Sequence, residues 1–431
     1  MRGVDSLAGV REPVPGLDAA SVESAAEALA GVVRRTPLAQ SARLTAETGV
    51  PVLLKREDLQ PVRSYKLRGA YHLISTLTAD ERARGVVCAS AGNHAQGVAR
   101  SCAELGIRAR IYVPGNTPRQ KRQRILTFGR GAVELIVEGS TYDDASRAAK
   151  EHAVATGAVL VHPFDDPRTI LGQGTVAVEL VEQCETGFAA EVGTVVVPLG
   201  GGGLLAGMAL WLRERHPGVR IVGVEPAGAA SMTAALAAGR PVALGEVDGF
   251  VDGAAVGQVG SLTYPIVRDL VDEVVTVSEG AVCTEMLALY QTDGIIAEPA
   301  GALATTALRS LELADRGPVV CVVSGGNNDV SRYAEIVERS LIHEGLRHYF
   351  LVTFPQEPGA LRDFLDRVLA KGEDIIVFEY VKKNNRETGP ALVGLELERA
   401  EDLPDLLDRM AASGLHTEQV PPGSPIFAFL T

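Results

Sequence analysis

The sequence predicts an α/β fold built on parallel sheets, followed by a smaller α+β unit. Three observations lead there. Short runs rich in valine and isoleucine recur through most of the chain, segments of helical length separate them, and beyond residue 346 the pattern changes to alternating strands with amphipathic helices. Strands that stay apolar at successive positions are those covered on both faces, as βαβ crossovers require.

In order, the apolar runs are VLL (52–54), GVVCAS (85–90), RARIYVP (108–114), GAVELIV (131–137), AVLVHPF (158–164), TVVVPLG (194–200), RIVGVEP (220–226), EVVTVS (273–278) and PVVCVVSGG (318–326). So many strands exceed one small sheet, and two sheets with a cleft between them are expected over residues 21–340, with a small subdomain over roughly 64–165. Residues 1–20 hold Pro, Gly and Val without periodicity and are expected to form a flexible arm. SRYAEIVERSLIHEGLR (331–347) reads as a last helix, a glycine stop and a connector. After it come HYFLVTF (348–354), a Pro-Gly start leading into ALRDFLDRVLAKG, IIVFEYV (375–381), the polar turn KKNNRETG, ALVGLEL (391–397), DLPDLLDRMAASG (402–414) and IFAFL (426–430). These read as βαββαβ, a ferredoxin-like unit over residues 346–431.

Bulk properties narrow the function classes. The chain has 431 residues, with 41 Lys plus Arg against 54 Asp plus Glu, and a formal net charge of −13. That balance disfavours a nucleic-acid or anionic-membrane partner and favours a small molecule. The five cysteines are scattered and form no CxxC pair, which argues against a disulfide framework or a zinc site. The opening MRGVDSLAGVREPVPG lacks the apolar core of a signal peptide, and no run reaches membrane-spanning length, so a cytoplasmic protein is expected.

Three segments each follow a predicted strand and precede a helix: SAGNHAQG (90–97), GGGGLLAG (200–207) and SGGNND (324–329). Open α/β sheets bind ligands at the carboxyl ends of strands. Glycines there let the backbone approach an anion, and the next helix offers unpaired N–H groups and the positive end of its dipole. Any one of these loops is most simply a tight turn, but three together with a lysine at a helix start, SYKLRGA (64–70), suggest a phosphate cradle beside a nucleophilic amine. Pyridoxal phosphate fits that pair, since its aldehyde bonds a lysine amine. No G-x-x-x-x-G-K-[ST] motif is present, which weakens nucleotide readings.

SYKLRGA, SAGNHAQG, GGGGL and SGGN, in this order and with these gaps, resemble the fold-type-II pyridoxal-phosphate enzymes, the tryptophan synthase β-like fold, and closely their serine/threonine dehydratase branch. The resemblance implies a role for each matching residue. Lys66 would bond the cofactor and later act as base at the substrate Cα. Asn93 would face the cofactor's phenolic oxygen, and Ser90, Ala91 and Gly92, with Asn93, would hold the substrate carboxylate. Gly200, Gly201, Gly202, Gly203 and Leu204 would cradle the phosphate, and Ser324 would face the pyridine nitrogen. A neutral hydroxyl there favours prompt loss of a β-leaving group over transamination. His94 is read as structural.

Lys66-Leu67-Arg68 departs from the Lys-Asp-Arg of the threonine synthase and cysteine synthase branches, and Ala91 stands where serine racemases carry the serine that works on the far face. Glu225, Ala229 and Ser231 resemble the divalent-metal site of some relatives, but Ser231 replaces an aspartate and no metal is expected. FPQEPGAL (354–361) resembles a turn of the ACT-like regulatory domains of biosynthetic threonine dehydratases, which makes Glu357, Pro358 and Gly359 candidate regulatory residues. The expectation is an L-threonine ammonia-lyase making 2-oxobutanoate on the way to isoleucine, a homotetramer, with isoleucine and valine as effectors and L-serine as a further substrate. Alternatives are a catabolic serine/threonine dehydratase of broad specificity and an amino-acid sensor that has lost catalysis.

Overall fold

The computed structural model describes residues 16–313, 317–380, 387–421, Ser424 and Phe427. Most of the expected arm, most of the KKNNRETG turn and, apart from Phe427, the IFAFL strand lie outside the described residues. The described chain forms two compact units. One comprises residues 16–278 with Leu289–Asn328, and the other Glu279–Ala288 with the residues from Asp329 on.

The first unit is already anchored at its start. Leu17 and Ala19 are buried, and the Asp18 carboxylate accepts a bond from Ser21 N to cap helix Ala19–Leu29. Its strands are β1 (Leu38–Gln40), β2 (Val52–Arg56), β3 (Val86–Ala89), β4 (Ala109–Val113), β5 (Val133–Val137), β6 (Val159–Leu160), β7 (Thr194–Pro198), β8 (Arg220–Pro226), β9 (Glu273–Val277) and β10 (Val319–Val323). Each of the nine apolar runs forms a strand. The addition is β1, an antiparallel edge strand too short to show a period.

The strands divide into a large sheet, ordered β1-β2-β10-β7-β8-β9, and a small one, ordered β5-β4-β3-β6. Apart from β1, neighbours run parallel. Parallel pairing brings the loops at carboxyl ends side by side. Because β10 pairs with β7, the SGGN and GGGG segments are neighbours. Because β3 pairs with β6, the SAGN segment lies beside His162–Pro163–Phe164. Each sheet buries its own apolar set, with Ile170, Val195 and Leu205 in the larger core and Leu73, Val98 and Ile111 in the smaller.

In the second unit β11 (Arg347–Pro355), helix Ala360–Val368, β12 (Glu373–Tyr380), β13 (Thr388–Leu397), helix Leu403–Ala412 and β14 (His416–Gln419) follow one another. The sheet is antiparallel and ordered β12-β13-β11-β14, the ferredoxin-like arrangement. Phe350, Val352, Phe364, Val393, Leu395 and Leu406 fill its core. The described fourth strand is the polar HTEQ segment, an exposed edge without the alternation that marks a half-buried strand. Helix Tyr333–His343 belongs to this unit. Arg347 pairs with Glu338 and Glu396, the Tyr349 hydroxyl donates to Glu338 at 2.6 Å, and Thr284 and Ser340 share a bond of 2.9 Å. No helix among the described residues is long and apolar enough to cross a membrane.

Candidate active site

Lys66 is positioned by backbone pairing on one side and buried charge on the other. Ser64 bridges Gly325, Tyr65 N donates to Ser324 O at 3.1 Å, and Gly326 N donates to Arg63 O at 2.9 Å. This short antiparallel contact sets Lys66 as the first residue of helix Lys66–Ser75, against the end of β10. Two residues on, Arg68 is fully buried and donates to both oxygens of Glu57 at 2.8 and 2.9 Å and to both oxygens of Glu179 at 2.8 and 2.9 Å. Lys55, also fully buried, donates to Glu179 at 2.8 Å. Two cations facing two carboxylates leave the cluster neutral, and the fork geometry satisfies the donors. Burial lowers the Arg68 pKa, but the two carboxylates outweigh it and hold the guanidinium above its ordinary value. The half-buried Lys66 amine donates to Pro163 O at 3.0 Å and lies 5.2 Å from the Tyr65 ring centre.

The SAGN loop turns on Ser90, whose hydroxyl accepts from Gly92 N at 3.2 Å, while Ser90 N donates to Tyr112 O. Gly92 precedes helix Asn93–Leu105 and brings no side-chain cap, so first-turn N–H groups stay available to a carboxylate. The Asn93 amide donates to Glu298 Oε1 at 2.5 Å and accepts at Oδ1 from Asn327 Nδ2 at 2.6 Å. Glu298 N donates to Gly325 O at 3.1 Å. Burial, then the charge of Asp252, push the Glu298 carboxyl up to about 7 against the opposing bond from Asn93. His94 is buried, with Nε2 2.8 Å from Val161 O; burial and then the Lys66 charge hold its pKa down to about 3, so it stays neutral.

The four glycines leave no room for side chains. A Cβ on Gly200 would lie 2.9 Å from the Ala254 backbone, one on Gly201 would enter the Phe164 ring, and one on Gly203 would lie 2.9 Å from Phe164 Cβ. Gly202 has φ +92°, in the left-handed region, and precedes helix Gly203–Arg215 without a side-chain cap. Leu204 is buried in the first turn of that helix. Ser324, also buried, donates to Ala300 O at 3.2 Å.

Direct contacts therefore gather the expected residues. Lys66 reaches Phe164 through Pro163, Phe164 backs the glycine loop, Tyr65 bonds Ser324, and Glu298 ties Gly325 to Asn93. Sequence reasoning missed Pro163, Phe164, Glu298 and Asn327. Only Asn327 carried a signal, as the asparagine closing SGGN. Among the regulatory candidates, Glu357 and Gly359 line a hollow in the second unit, and Pro358 is not part of its lining. Glu225 receives bonds from Met232 N, Thr233 N and Thr233 Oγ1 at 2.6, 2.9 and 2.8 Å. Among the described residues no group of three or more His, Cys, Asp or Glu is placed to hold a metal ion.

Comparison with known proteins agrees with this geometry. Residues 29–325 match the family of pyridoxal-phosphate dependent enzymes, and residues 338–430 match the C-terminal regulatory domain of threonine dehydratase. The chain is 58% identical over 420 residues to the biosynthetic L-threonine dehydratase of Mycobacterium tuberculosis, covering 97% of each chain. It is 48% identical over 400 residues to that of Bacillus subtilis, covering 93% of this chain and 94% of the relative. Among solved structures, processed threonine deaminase isoform 2 from Solanum lycopersicum superposes with a TM-score of 0.70 at 36% identity, over 76% of this chain and 94% of that one. Maize serine racemase does so with a TM-score of 0.69 at 33% identity, over 76% and 98%.

The site suits the cofactor that the family uses. Glycines that exclude side chains, a helix start with uncapped N–H groups, an amine held by a single carbonyl and a neutral hydroxyl at the end of β10 match, respectively, a phosphate's close approach, its charge, an aldehyde and a ring nitrogen. With the cleft, the catalytic match and the regulatory match in agreement, the chain belongs to the pyridoxal-phosphate-dependent enzymes, in the biosynthetic threonine dehydratase branch that carries a C-terminal regulatory domain.

Proposed function

We propose that the chain is an L-threonine ammonia-lyase that converts L-threonine to 2-oxobutanoate and ammonia, the first step towards isoleucine. The observation that carries this reading is the Lys66 amine, held 3.0 Å from the Pro163 carbonyl in the cleft that also contains the glycine cradle, Asn93 and Ser324. In this reading Lys66, Asn93, Gly200 to Gly203, Leu204 and Ser324 hold pyridoxal phosphate. When bound, it supplies an electron sink for the pair left on Cα by proton removal.

The chain's own groups do the rest. Residues Ser90 to Asn93 receive the substrate carboxylate on the helix N-terminus, which fixes Cα. A base must hold a free lone pair, and it is in its unprotonated form that the Lys66 amine takes the Cα proton. The Cα–Cβ double bond forms as the β-hydroxyl departs with a proton as water. The resulting 2-aminobut-2-enoate tautomerises to an imine, and water hydrolyses it to 2-oxobutanoate and ammonia, so one water is lost and one taken up. Ser324 presents a hydroxyl and no charge, which favours elimination, and Ala91 offers no proton to the opposite face of Cα.

Regulation belongs to the same proposal. The second unit contains a hollow of about 690 Å³ that combines Phe354, Leu361, Leu365 and Phe378 with Arg362 and Asp366. Apolar walls beside one cation, Arg362, and two carboxylates, Glu357 and Asp366, suit a branched-chain amino acid, and isoleucine as inhibitor with valine opposing it is the expected pair. A cytoplasmic homotetramer completes the reading, and sedimentation equilibrium tests the subunit count. Steady-state formation of 2-oxobutanoate from threonine and of pyruvate from serine, with and without isoleucine, tests the assignment. Activity on serine equal to that on threonine, without an isoleucine effect, would favour the catabolic dehydratase. An absence of turnover from either amino acid by cofactor-loaded protein would leave only the sensor.

A further inference from the structure

The glycine loop leans on one buried hydroxyl. Thr263, fully buried at the start of helix Thr263–Leu270, donates from Oγ1 to Gly201 O at 2.7 Å and lies 3.4 Å from Gly260 O. The same Gly201 carbonyl also accepts from Gly260 N at 3.4 Å. A hydroxyl shut away from water must spend its proton on a protein acceptor, and 2.7 Å is the usual length of a good O–H···O bond.

A trans, planar peptide carries its C=O and N–H on opposite sides. The bond that draws the Gly201 carbonyl towards Thr263 therefore turns the Gly202 N–H away from it. The same side chain limits Gly202 itself, where a Cβ would lie 2.8 Å from both Cβ and Oγ1 of Thr263. The loop thus rests on two side chains, Phe164 at Gly201 and Gly203 and Thr263 at Gly201 and Gly202, and the second also sets the direction of a peptide.

Thr263 is held in turn. Leu262, just ahead of the helix, supplies no side-chain cap, and the Asp165 carboxylate, 97 positions earlier in the chain, takes that place. It accepts from Ser261 N and Ser261 Oγ at 2.9 Å each and from Leu262 N at 2.8 Å. Asp165 follows Pro163, which holds the Lys66 amine, and Phe164, which packs on the loop. One stretch, 163–165, places the amine directly and a peptide of the glycine loop through Thr263.

We propose that Thr263 is a positioning residue for the phosphate cradle: its hydroxyl presents the Gly202 N–H to the cofactor's phosphate, and Asp165 fixes Thr263. The proposal rests on the reading of Gly200 to Gly203 as that cradle. In the test the full-length chain is loaded in turn with pyridoxal phosphate and with pyridoxal, which lacks the phosphate. Release on dilution is followed by the visible band, and phosphorus NMR records the bound phosphate. Thr263→Val keeps the shape and removes the hydroxyl. It should weaken the hold on pyridoxal phosphate about tenfold, the worth of one well-placed hydrogen bond, hold pyridoxal within about twofold of the parent, and shift the phosphorus resonance. Thr263→Ala, which adds no apolar bulk, should repeat that selective loss. Thr263→Ser restores the donor and should return affinity to within about twofold of the parent, with the parent's resonance. Equal losses for the two ligands, an unmoved resonance in Thr263→Val, or a serine variant as weak as the valine one would each overturn the role of Thr263. A parent chain that holds pyridoxal as tightly as pyridoxal phosphate would instead overturn the cradle reading, and the proposal with it.

Discussion

The Asn93 side-chain amide donates a 2.5 Å hydrogen bond to the Glu298 carboxylate, across 205 positions of sequence. Asn327 fills the other side of the same amide, so the Asn93 orientation is fixed from both ends. Glu298 also begins helix Pro299–Thr306 and bonds Gly325 through its backbone. One carboxylate thereby couples the loop at the uncapped start of helix Asn93–Leu105 with the loop that carries Ser324.

That carboxylate should leave a signature in the pH dependence of stability. Its native pKa is raised from 4.5 to about 7, so between those values the folded chain keeps a proton that the unfolded chain has lost. Stability from this group is complete below pH 4.5 and is lost as pH rises through about 7, with a slope of at most ~1.4 kcal/mol per pH unit for one proton. Glu298→Gln cannot titrate. Unfolding temperatures measured from pH 4 to 8 should therefore show the variant gaining on the parent as pH rises. Parallel curves would mean that Glu298 ionises normally.

Lys66→Ala removes the amine while deleting only one hydrogen bond from a half-buried side chain. Threonine turnover should fall by at least about a thousandfold, since covalent attachment and base are lost together. The unfolding temperature of the variant should stay within a few degrees of the parent. Turnover within tenfold of the parent in purified protein would refute the assignment of Lys66.

Gly201→Ala places a methyl group in the Phe164 ring. Either the ring or the loop must move, and overpacking of this kind costs about 1–3 kcal/mol. Cofactor affinity, followed by fluorescence, should drop tenfold or more. Phe164→Ala in the same chain should recover part of the loss, because the two residues compete for one space. Equal losses in the single and double variants would show that the cradle fails for some other reason.

Arg68→Leu strands Glu57 and Glu179 without their fork. Breaking a buried pair on one side costs about 3–5 kcal/mol, far more than a surface pair would. Urea denaturation should report that loss. Because the Arg68 network anchors the helix that begins at Lys66, cofactor binding should weaken in the same variant. A loss below about 1 kcal/mol would mean that the network is solvated in solution.

What the sequence made legible was local. A glycine-rich turn after a valine-rich strand is written in adjacent residues, so the cradle, the SAGN loop and the nine parallel strands could be read directly. Contacts made at a distance could not. Pro163 holds Lys66 through a backbone carbonyl 97 positions away, and any residue has a carbonyl. Glu298 looks like an ordinary acidic residue until Asn93 is brought to it. Nor does the KRED segment (55–58) show by itself that Lys55 and Glu57 are fully buried, since such residues are buried only when paired and their partners Glu179 and Arg68 lie elsewhere in the chain. The HTEQ strand is legible only through its pairing with β11, which a polar edge does not advertise.

The hollow of the second unit gives the last prediction. Helix Ala360–Val368 leaves Leu361 42% and Leu365 38% exposed, and both line that hollow. Arg362 and Asp366, one helical turn apart on the same helix, can meet an α-carboxylate and an α-ammonium, while the leucines and Phe378 receive a branched side chain. Leu365→Lys puts a charge where that side chain would lie. Without effector, kcat/KM for threonine should stay within about twofold of the parent, because Leu365 belongs to the second unit's surface and not to the cleft. Isoleucine should no longer raise the apparent threonine requirement, and valine should have nothing to reverse, since an effector acts only as far as its affinities for two states of the enzyme differ. The measurement is a set of threonine saturation curves at several isoleucine concentrations for parent and variant. An undiminished isoleucine response in Leu365→Lys would move the effector site out of this hollow.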